Sequence, residues 1–234
     1  MAIRPRLWVA SELYFPEETS TGYFLTRIAE GLADEYDVNI ISGRPTYSER
    51  HLEVSAFEAR NGTRIYRMPA TRLDKDRLWL RLINLLSFSV SVFWFALARI
   101  RRGDLVLVVT TPPSLPVVVC LAGLLKRGRM ILLVHDVYPE VLAATGMLQP
   151  SSLAYRALKS VFRVVYRQFE RIIVLGRDAL DLVGRKIGDA SAQFVVIPNW
   201  GDTGEIFPLA RDENPFRIEH GLQGKIIIQF SGNI

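Results

Sequence analysis

The sequence predicts a doubly wound α/β domain built on a parallel sheet, and three observations carry that prediction. Short β-branched runs alternate with amphipathic helical stretches over most of the 234 residues. Several runs, such as Leu105 to Val109, are apolar on both faces, as parallel strands covered by helices must be. The apolar fraction of 49% and charged fraction of 23% are ordinary for a globular chain, and the length allows a sizeable core without staples.

The elements follow in order. Leu7 to Ala10 reads as the first strand, and Thr21 to Tyr36 as a helix with Phe24, Ile28 and Leu32 on one face. Val38 to Ile41 is the next strand, and Arg64 to Arg67 another after a turn at Asn61-Gly62. A long apolar helix covers Leu82 to Ala98. Strand Leu105 to Val109, helix Ser114 to Lys126 entered through Pro112-Pro113, and strand Met130 to Val134 come next. Helix Ser151 to Phe169, strand Arg171 to Leu175, helix Asp178 to Lys186 and strand Gln193 to Ile197 complete a domain over residues 1–198. Residues 199–224, rich in Gly, Pro, Asp and Glu, read as a linker. Lys225 to Phe230 reads as a new buried strand feeding a glycine turn at Ser231-Gly232-Asn233, so residues 225–234 read as the start of a truncated second domain.

One cysteine, Cys120, lies in an apolar run, which excludes an internal disulfide framework and fits a reducing compartment. The N-terminus lacks the apolar region and cleavage site of a secretory leader. The net charge of +5 suggests anionic partners. Its cations cluster beside apolar stretches, at Arg72 to Arg81 and Arg99 to Arg102, which suits a membrane surface better than a nucleic-acid groove. No nucleic-acid motif or zinc spacing is present. The segment from Leu82 to Ala98 carries Asn84, Ser87, Ser89 and Ser91, and is slightly shorter than the roughly 20 residues a spanning helix needs. The reading is a sheet-packing helix with one face open to lipid, with a spanning helix as the alternative.

Doubly wound sheets bind ligands at the carboxyl ends of their strands, and that rule selects four loops. After the first strand, Ser20, Thr21 and Gly22 open a helix whose N–H groups favour an anion such as a diphosphate, or serve as an ordinary cap. At the end of another strand, His135 and Asp136 stand beside Glu140; the imidazole suits a sugar hydroxyl or a proton transfer and the carboxylate can orient it. Thr111 closes a third strand, and Arg177 at a helix start can meet a phosphate. The dinucleotide glycine fingerprint is absent, which counts against an oxidoreductase. Two patterns are set aside. Asp74-Lys75-Asp76 mimics a metal-chelating pair but lies in a basic linker, and Glu205 with Glu213 mimics a donor-binding pair but flanks Pro208, where no continuous helix forms.

In order and spacing these pieces resemble the family-4 glycosyltransferases of bacterial capsule, O-antigen and exopolysaccharide synthesis. The carriers are Tyr14-Phe15-Pro16-Glu17 with Gly22, Thr111-Pro112-Pro113, His135 to Glu140, Val196 to Asp202, and Phe230-Ser231-Gly232-Asn233. The resemblance covers nearly the whole chain. It implies a GT-B fold, two Rossmann-like domains facing across a cleft, with this chain supplying the acceptor-binding domain, the interdomain connection and the first donor-domain strand. Gly22 then matches the loop facing the donor diphosphate, together with Ser20 and Thr21. His135 matches the histidine that approaches the transferred sugar, with Asp136 beside it. Gly232 and Asn233 match the second glycine loop near the donor. Glu17, Thr111, Glu140 and Arg177 are assigned to the acceptor.

Where many relatives carry paired glycines in the first loop, this sequence reads Ser20-Thr21-Gly22. The resemblance further implies a retaining, metal-independent transfer with no cofactor. The donor is a nucleotide-sugar and the acceptor a polyprenyl-diphosphate-linked sugar or saccharide, at the cytoplasmic face of the plasma membrane. Without the donor-domain carboxylate motif the sequence as written is expected to be inactive alone. Two rival readings stay open: a non-catalytic membrane-surface module, and a nucleotide-sugar epimerase of similar two-domain build.

Overall fold

A computed structural model describes residues 4–45, 54–74, 77–188, 193–201, 203–204 and 206–230. The chain divides into two compact units, Met1–Pro198 and Asn199–Ile234.

The first unit is an eight-stranded sheet in the order β3-β4-β2-β1-β5-β6-β7-β8. Its strands are β1 (Arg6–Ala10), β2 (Asp37–Ser42), β3 (Phe57–Arg60), β4 (Thr63–Arg67), β5 (Leu105–Val109), β6 (Arg129–Val134), β7 (Arg171–Val174) and β8 (Phe194–Val196). All neighbours run parallel except β3, which pairs antiparallel with β4. The chain runs outward from β1 through β2 to β4, then returns to lay β5 against the other side of β1. The reversal lies between β1 and β5, the point at which doubly wound sheets as a class bind their ligands. Central strands are buried almost throughout, with Val9, Ala10, Ile40, Val106 and Leu132 all at 0% exposure. This is the two-sided burial that their unbroken apolar runs predict.

Helices cover the sheet: α1 (Ser20–Gly31), α2 (Leu78–Arg99), α3 (Ser114–Lys126), α4 (Glu140–Ala144), α5 (Leu153–Tyr166) and α6 (Arg177–Ile187). Helix α1 stops at Gly31, five residues short of the predicted end, and residues 32–35 form turns. Helix α2 is longer than predicted, at 22 residues, because Leu78 to Arg81 continue it beyond Leu82. It is long and apolar enough to cross a membrane by length and composition. Strand β3 was not predicted. It forms because Asn61 (φ 44°) and Gly62 (φ 77°) both take positive φ and fold Phe57–Arg60 back onto β4.

The second unit contains α7 (Pro215–Glu219), with Asn214 as its cap. Lys225 to Phe230, predicted as a strand, has no strand structure, and Ile226 and Ile228 are 87% and 95% exposed. A strand is sustained by the ladder it joins, and no described strand pairs with this segment. Gly232 and Asn233 lie outside the described residues, as do Lys75, Asp76 and Glu205.

Candidate functional site

The predicted site residues are distributed along the carboxyl edge of the sheet. Glu17 and Ser20 to Gly22 follow β1, Thr111 follows β5, His135, Asp136 and Glu140 follow β6, and Arg177 follows β7. Since β1, β5, β6 and β7 are consecutive neighbours, one edge carries them all.

Thr110 and Thr111 tie the β5 loop to the β6 loop. Thr110 is fully buried, and its Oγ1 accepts hydrogen bonds from the backbone N–H of both His135 and Asp136, each at 3.0 Å. Thr111 Oγ1 donates to Asp136 Oδ2 at 3.2 Å. The main chain and carboxylate at the end of β6 are therefore held by two consecutive side chains from β5. His135 Nε2 is buried without a hydrogen-bond partner. Burial pushes the imidazole pKa below its ordinary value, with the Asp136 carboxylate pulling the other way. Burial dominates, so the ring is neutral at pH 7. A neutral imidazole with an unmatched buried nitrogen can take a hydrogen bond from, or give one to, a hydroxyl.

After β1, Thr19 caps α1 by accepting from Gly22 N–H at 3.2 Å, while its carbonyl takes the Tyr23 N–H. The amides of Ser20 and Thr21 head the helix at its positive end. Gly22 packs directly against the loop: a β-carbon there would stand 2.5 Å from the Glu17 carbonyl oxygen. Glu17 is itself buried, at 5% exposure. Beside it opens a cleft of ≈ 710 Å³ lined by Phe15, Glu17, Tyr23, Arg27, Glu30 and Arg60, among others. Arg60 lies over the Phe15 ring at 3.7 Å from its centroid and pairs with Glu30 at 3.0 Å.

Glu140 and Arg177 stand further along the edge. Glu140 is committed to Lys186 of α6, whose Nζ lies 2.5 Å from Glu140 Oε2 and also donates to the Tyr138 carbonyl. The Lys186 side chain is 1% exposed and faces the rings of Phe162 and Tyr166. Its pKa is lowered, chiefly by burial, with Glu140 opposing. Arg177 is exposed at the start of α6.

Two functional supports were missed by sequence reasoning. Lys186 reads as a solvated helix cation, and Arg67 as an ordinary strand residue. Yet the Arg67 side chain is fully buried, where it donates to the Phe15 carbonyl at 3.2 Å and pairs with Glu58 at 2.7 Å. Arg67 thereby fixes the loop after β1. Its signal was present in the alternation of β4, whose inward positions are Thr63, Ile65 and Arg67. Among the described residues no group of three or more His, Cys, Asp or Glu could hold a metal ion.

The family profile of the glycosyl transferase 4-like domain matches residues 21–200. The chain belongs to the glycosyl transferase 4-like family. A curated relative, the "Probable glycosyltransferase WbjE" of Pseudomonas aeruginosa, is 33% identical over 233 residues, covering 98% of this chain and 56% of that protein. The chain thus spans about half the length of this relative. In structure it is similar to a sucrose-phosphate synthase from Thermosynechococcus elongatus, with a TM-score of 0.60 and 14% identity, over 93% of this chain and 53% of the other. At that identity the likeness concerns the fold, and it puts the transferase domain in the GT-B class. The fold class and family expected from the sequence are both met.

Proposed function

We propose that this glycosyl transferase 4-like domain is the acceptor-binding half of a retaining transferase that moves a sugar from a nucleotide-sugar onto a lipid-linked or saccharide acceptor in cell-surface polysaccharide synthesis. The observation that carries the reading is the pair His135–Asp136, fixed by Thr110 and Thr111 on the carboxyl edge of the sheet and one strand away from the reversal between β1 and β5. A neutral His135 with a buried, unmatched Nε2 is suited to a hydroxyl of the transferred sugar. Asp136, oriented by Thr111, is suited to a second hydroxyl or to the charge that develops on the sugar.

Departure of the nucleoside diphosphate builds negative charge, which the N-terminal end of α1 at Ser20 and Thr21 is placed to stabilise. In this reading Gly232 and Asn233 make further contacts with the donor. Glu17 and the cleft beside Phe15 and Arg60 are assigned to the acceptor, with Thr111, Glu140 and Arg177 as further contacts. No metal or cofactor is invoked.

The test is transfer of radiolabel from a panel of nucleotide-sugars to an organic-extractable product, using the full-length protein with membranes from its source. His135→Ala and Asp136→Asn are expected to lower transfer at least about 100-fold while leaving the melting temperature within a few degrees. Wild-type rates in both variants would overturn the assignment. Retention is read independently from the anomeric NMR signal of the product.

A further inference from the structure

From the outer face of the α2–α3 helix pair we infer that this domain docks on an anionic lipid bilayer, with α2 lying in the membrane plane rather than crossing it. This goes beyond the catalytic proposal and stands or falls separately from it.

Helix α2 has two halves. From Phe88 onward it packs on the domain: Phe88, Val92, Ala96 and, just past the helix, Ile100 are buried. Ser89 Oγ is also hydrogen-bonded to Ser114 Oγ at the first turn of α3, at 2.7 Å. Before Phe88, no described side chain of α2 is buried. Residues 78–87 therefore run on past the start of α3, by roughly 15 Å at a rise of 1.5 Å per residue. This overhang lies on the carboxyl edge that carries Thr111, His135 and Asp136.

The uncharged polar side chains of α2, Asn84, Ser87, Ser89 and Ser91, are all spent on the protein. Asn84 bonds the backbone of Leu73 in both directions, each at 3.0 Å. Ser87 receives the Thr71 N–H at 3.0 Å, while Ser89 and Ser91 donate to the carbonyls of Leu85 and Ser87. What remains outward is a continuous apolar stripe of Trp79, Leu82, Ile83, Leu86, Val90 and Trp94, between 38% and 63% exposed. Beside it, Leu121, Leu124 and Leu125 of α3 are 46% to 62% exposed. Exposed apolar area of this extent, with two tryptophans in it, marks an interaction surface.

Charge selects the partner. From Arg77 to His135 the one acidic residue is Asp104, and it is buried and paired with Arg6 at 2.5 Å. Around the stripe stand Arg77, Arg99, Arg101, Arg102 and Arg127, all exposed, while Arg72 lies beside the exposed Asp74. From Val141 to Phe169, which includes α5 alongside α3, there is again no acidic residue. An apolar face rimmed by cations of one sign fits a bilayer carrying anionic headgroups. Spanning is inconsistent with the packing, because the second half of α2 is bound to the sheet and to α3 through Phe88, Val92 and Ala96.

The experiment is cosedimentation of the full-length protein with phosphatidylglycerol–phosphatidylcholine vesicles and with phosphatidylcholine alone. Binding is expected on the anionic vesicles, weakened by high salt, and reduced at least about tenfold in the triple variant Trp79→Ser, Leu86→Ser, Trp94→Ser with its near-UV circular dichroism and melting unchanged. Equal binding by the triple variant, or no binding to either vesicle, overturns the proposal. So does dimerisation abolished by the same variant without vesicle binding, which would make the face a protein interface. Single variants Arg77→Cys and Arg102→Cys, bound from outside, are both expected to react with a membrane-impermeant maleimide, while buried Cys120 does not. Protection of one of them alone would make α2 a spanning helix and overturn the in-plane geometry.

Discussion

The α-carbon of Gly22 faces the carbonyl oxygen of Glu17 so closely that a β-carbon at position 22 would lie 2.5 Å from it. The neighbour is backbone, so it cannot swing away as a flexible side chain would. Gly22→Ala is therefore expected to destabilise the domain by about 1–3 kcal/mol through displacement of the loop after β1. Gly31 supplies the control: it ends the same helix, and a β-carbon there meets nothing within 4 Å. Gly31→Ala is expected to be neutral or to stabilise by up to about 1 kcal/mol. Urea unfolding of the two variants separates them, and equal midpoints would refute the close approach.

Thr110 offers a second test. Its Oγ1 is the acceptor for two backbone N–H groups, those of His135 and Asp136. Thr110→Val keeps the shape and removes the oxygen, so both donors lose their acceptor at a cost of about 1–3 kcal/mol. Thr110→Ser keeps the oxygen and is expected to recover most of that. Because the lost bonds position the two candidate catalytic residues, transfer activity of the valine variant is expected to fall well below the serine variant's. Similar activity in the two would mean that the β6 loop is held by other contacts.

These supports mark where sequence reading reached its limit. Strand β5 and helix α3 were legible to the residue, and β6 to within one, because an unbroken apolar run between turn signals leaves few registers. Phe57 to Arg60 was not legible, since its residues alternate exposed and half-buried and the strand exists only through the turn at Asn61-Gly62. The five-residue helices α4 and α7 are too short to display a period. Within the site, His135 and Asp136 were legible as ionisable residues ending a buried strand. Lys186 was not, because a charged residue on a helix is assigned to solvent, and Arg67 was legible only as an inward position of β4; each is held inside by a carboxylate and a backbone carbonyl from elsewhere in the chain. That pairing is a tertiary fact with no local trace.

The Lys186–Glu140 pair should therefore behave as a buried ion pair with one half-open partner. The lysine side chain is 1% exposed and the glutamate 19%. Lys186→Met leaves the Glu140 carboxylate and the Tyr138 carbonyl without their cation, for an expected loss of about 2–4 kcal/mol, below the largest values because Glu140 keeps some water. Adding Glu140→Leu removes the stranded charge and is expected to restore most of the stability. Thermal unfolding of both variants decides; a double variant no more stable than the single would show that packing around Phe162 and Tyr166, rather than charge, sets the loss.

His135 gives the domain an acid-sensitive step of predictable sign. Burial lowers its folded-state pKa below the ordinary value near 6.5. The unfolded chain therefore takes up the proton first as pH falls, and it binds more protons than the folded state between the two values. Stability from this group is fully present above the unfolded pKa and is lost as pH drops through about 6.5 toward the lower folded value. Melting temperature measured from pH 8 to pH 5 is expected to fall for the wild type and to fall less for His135→Gln, whose amide does not titrate. Parallel curves would assign the acid sensitivity to other groups. The same titration should silence transfer at low pH, since a protonated imidazole has no acceptor nitrogen left for a sugar hydroxyl.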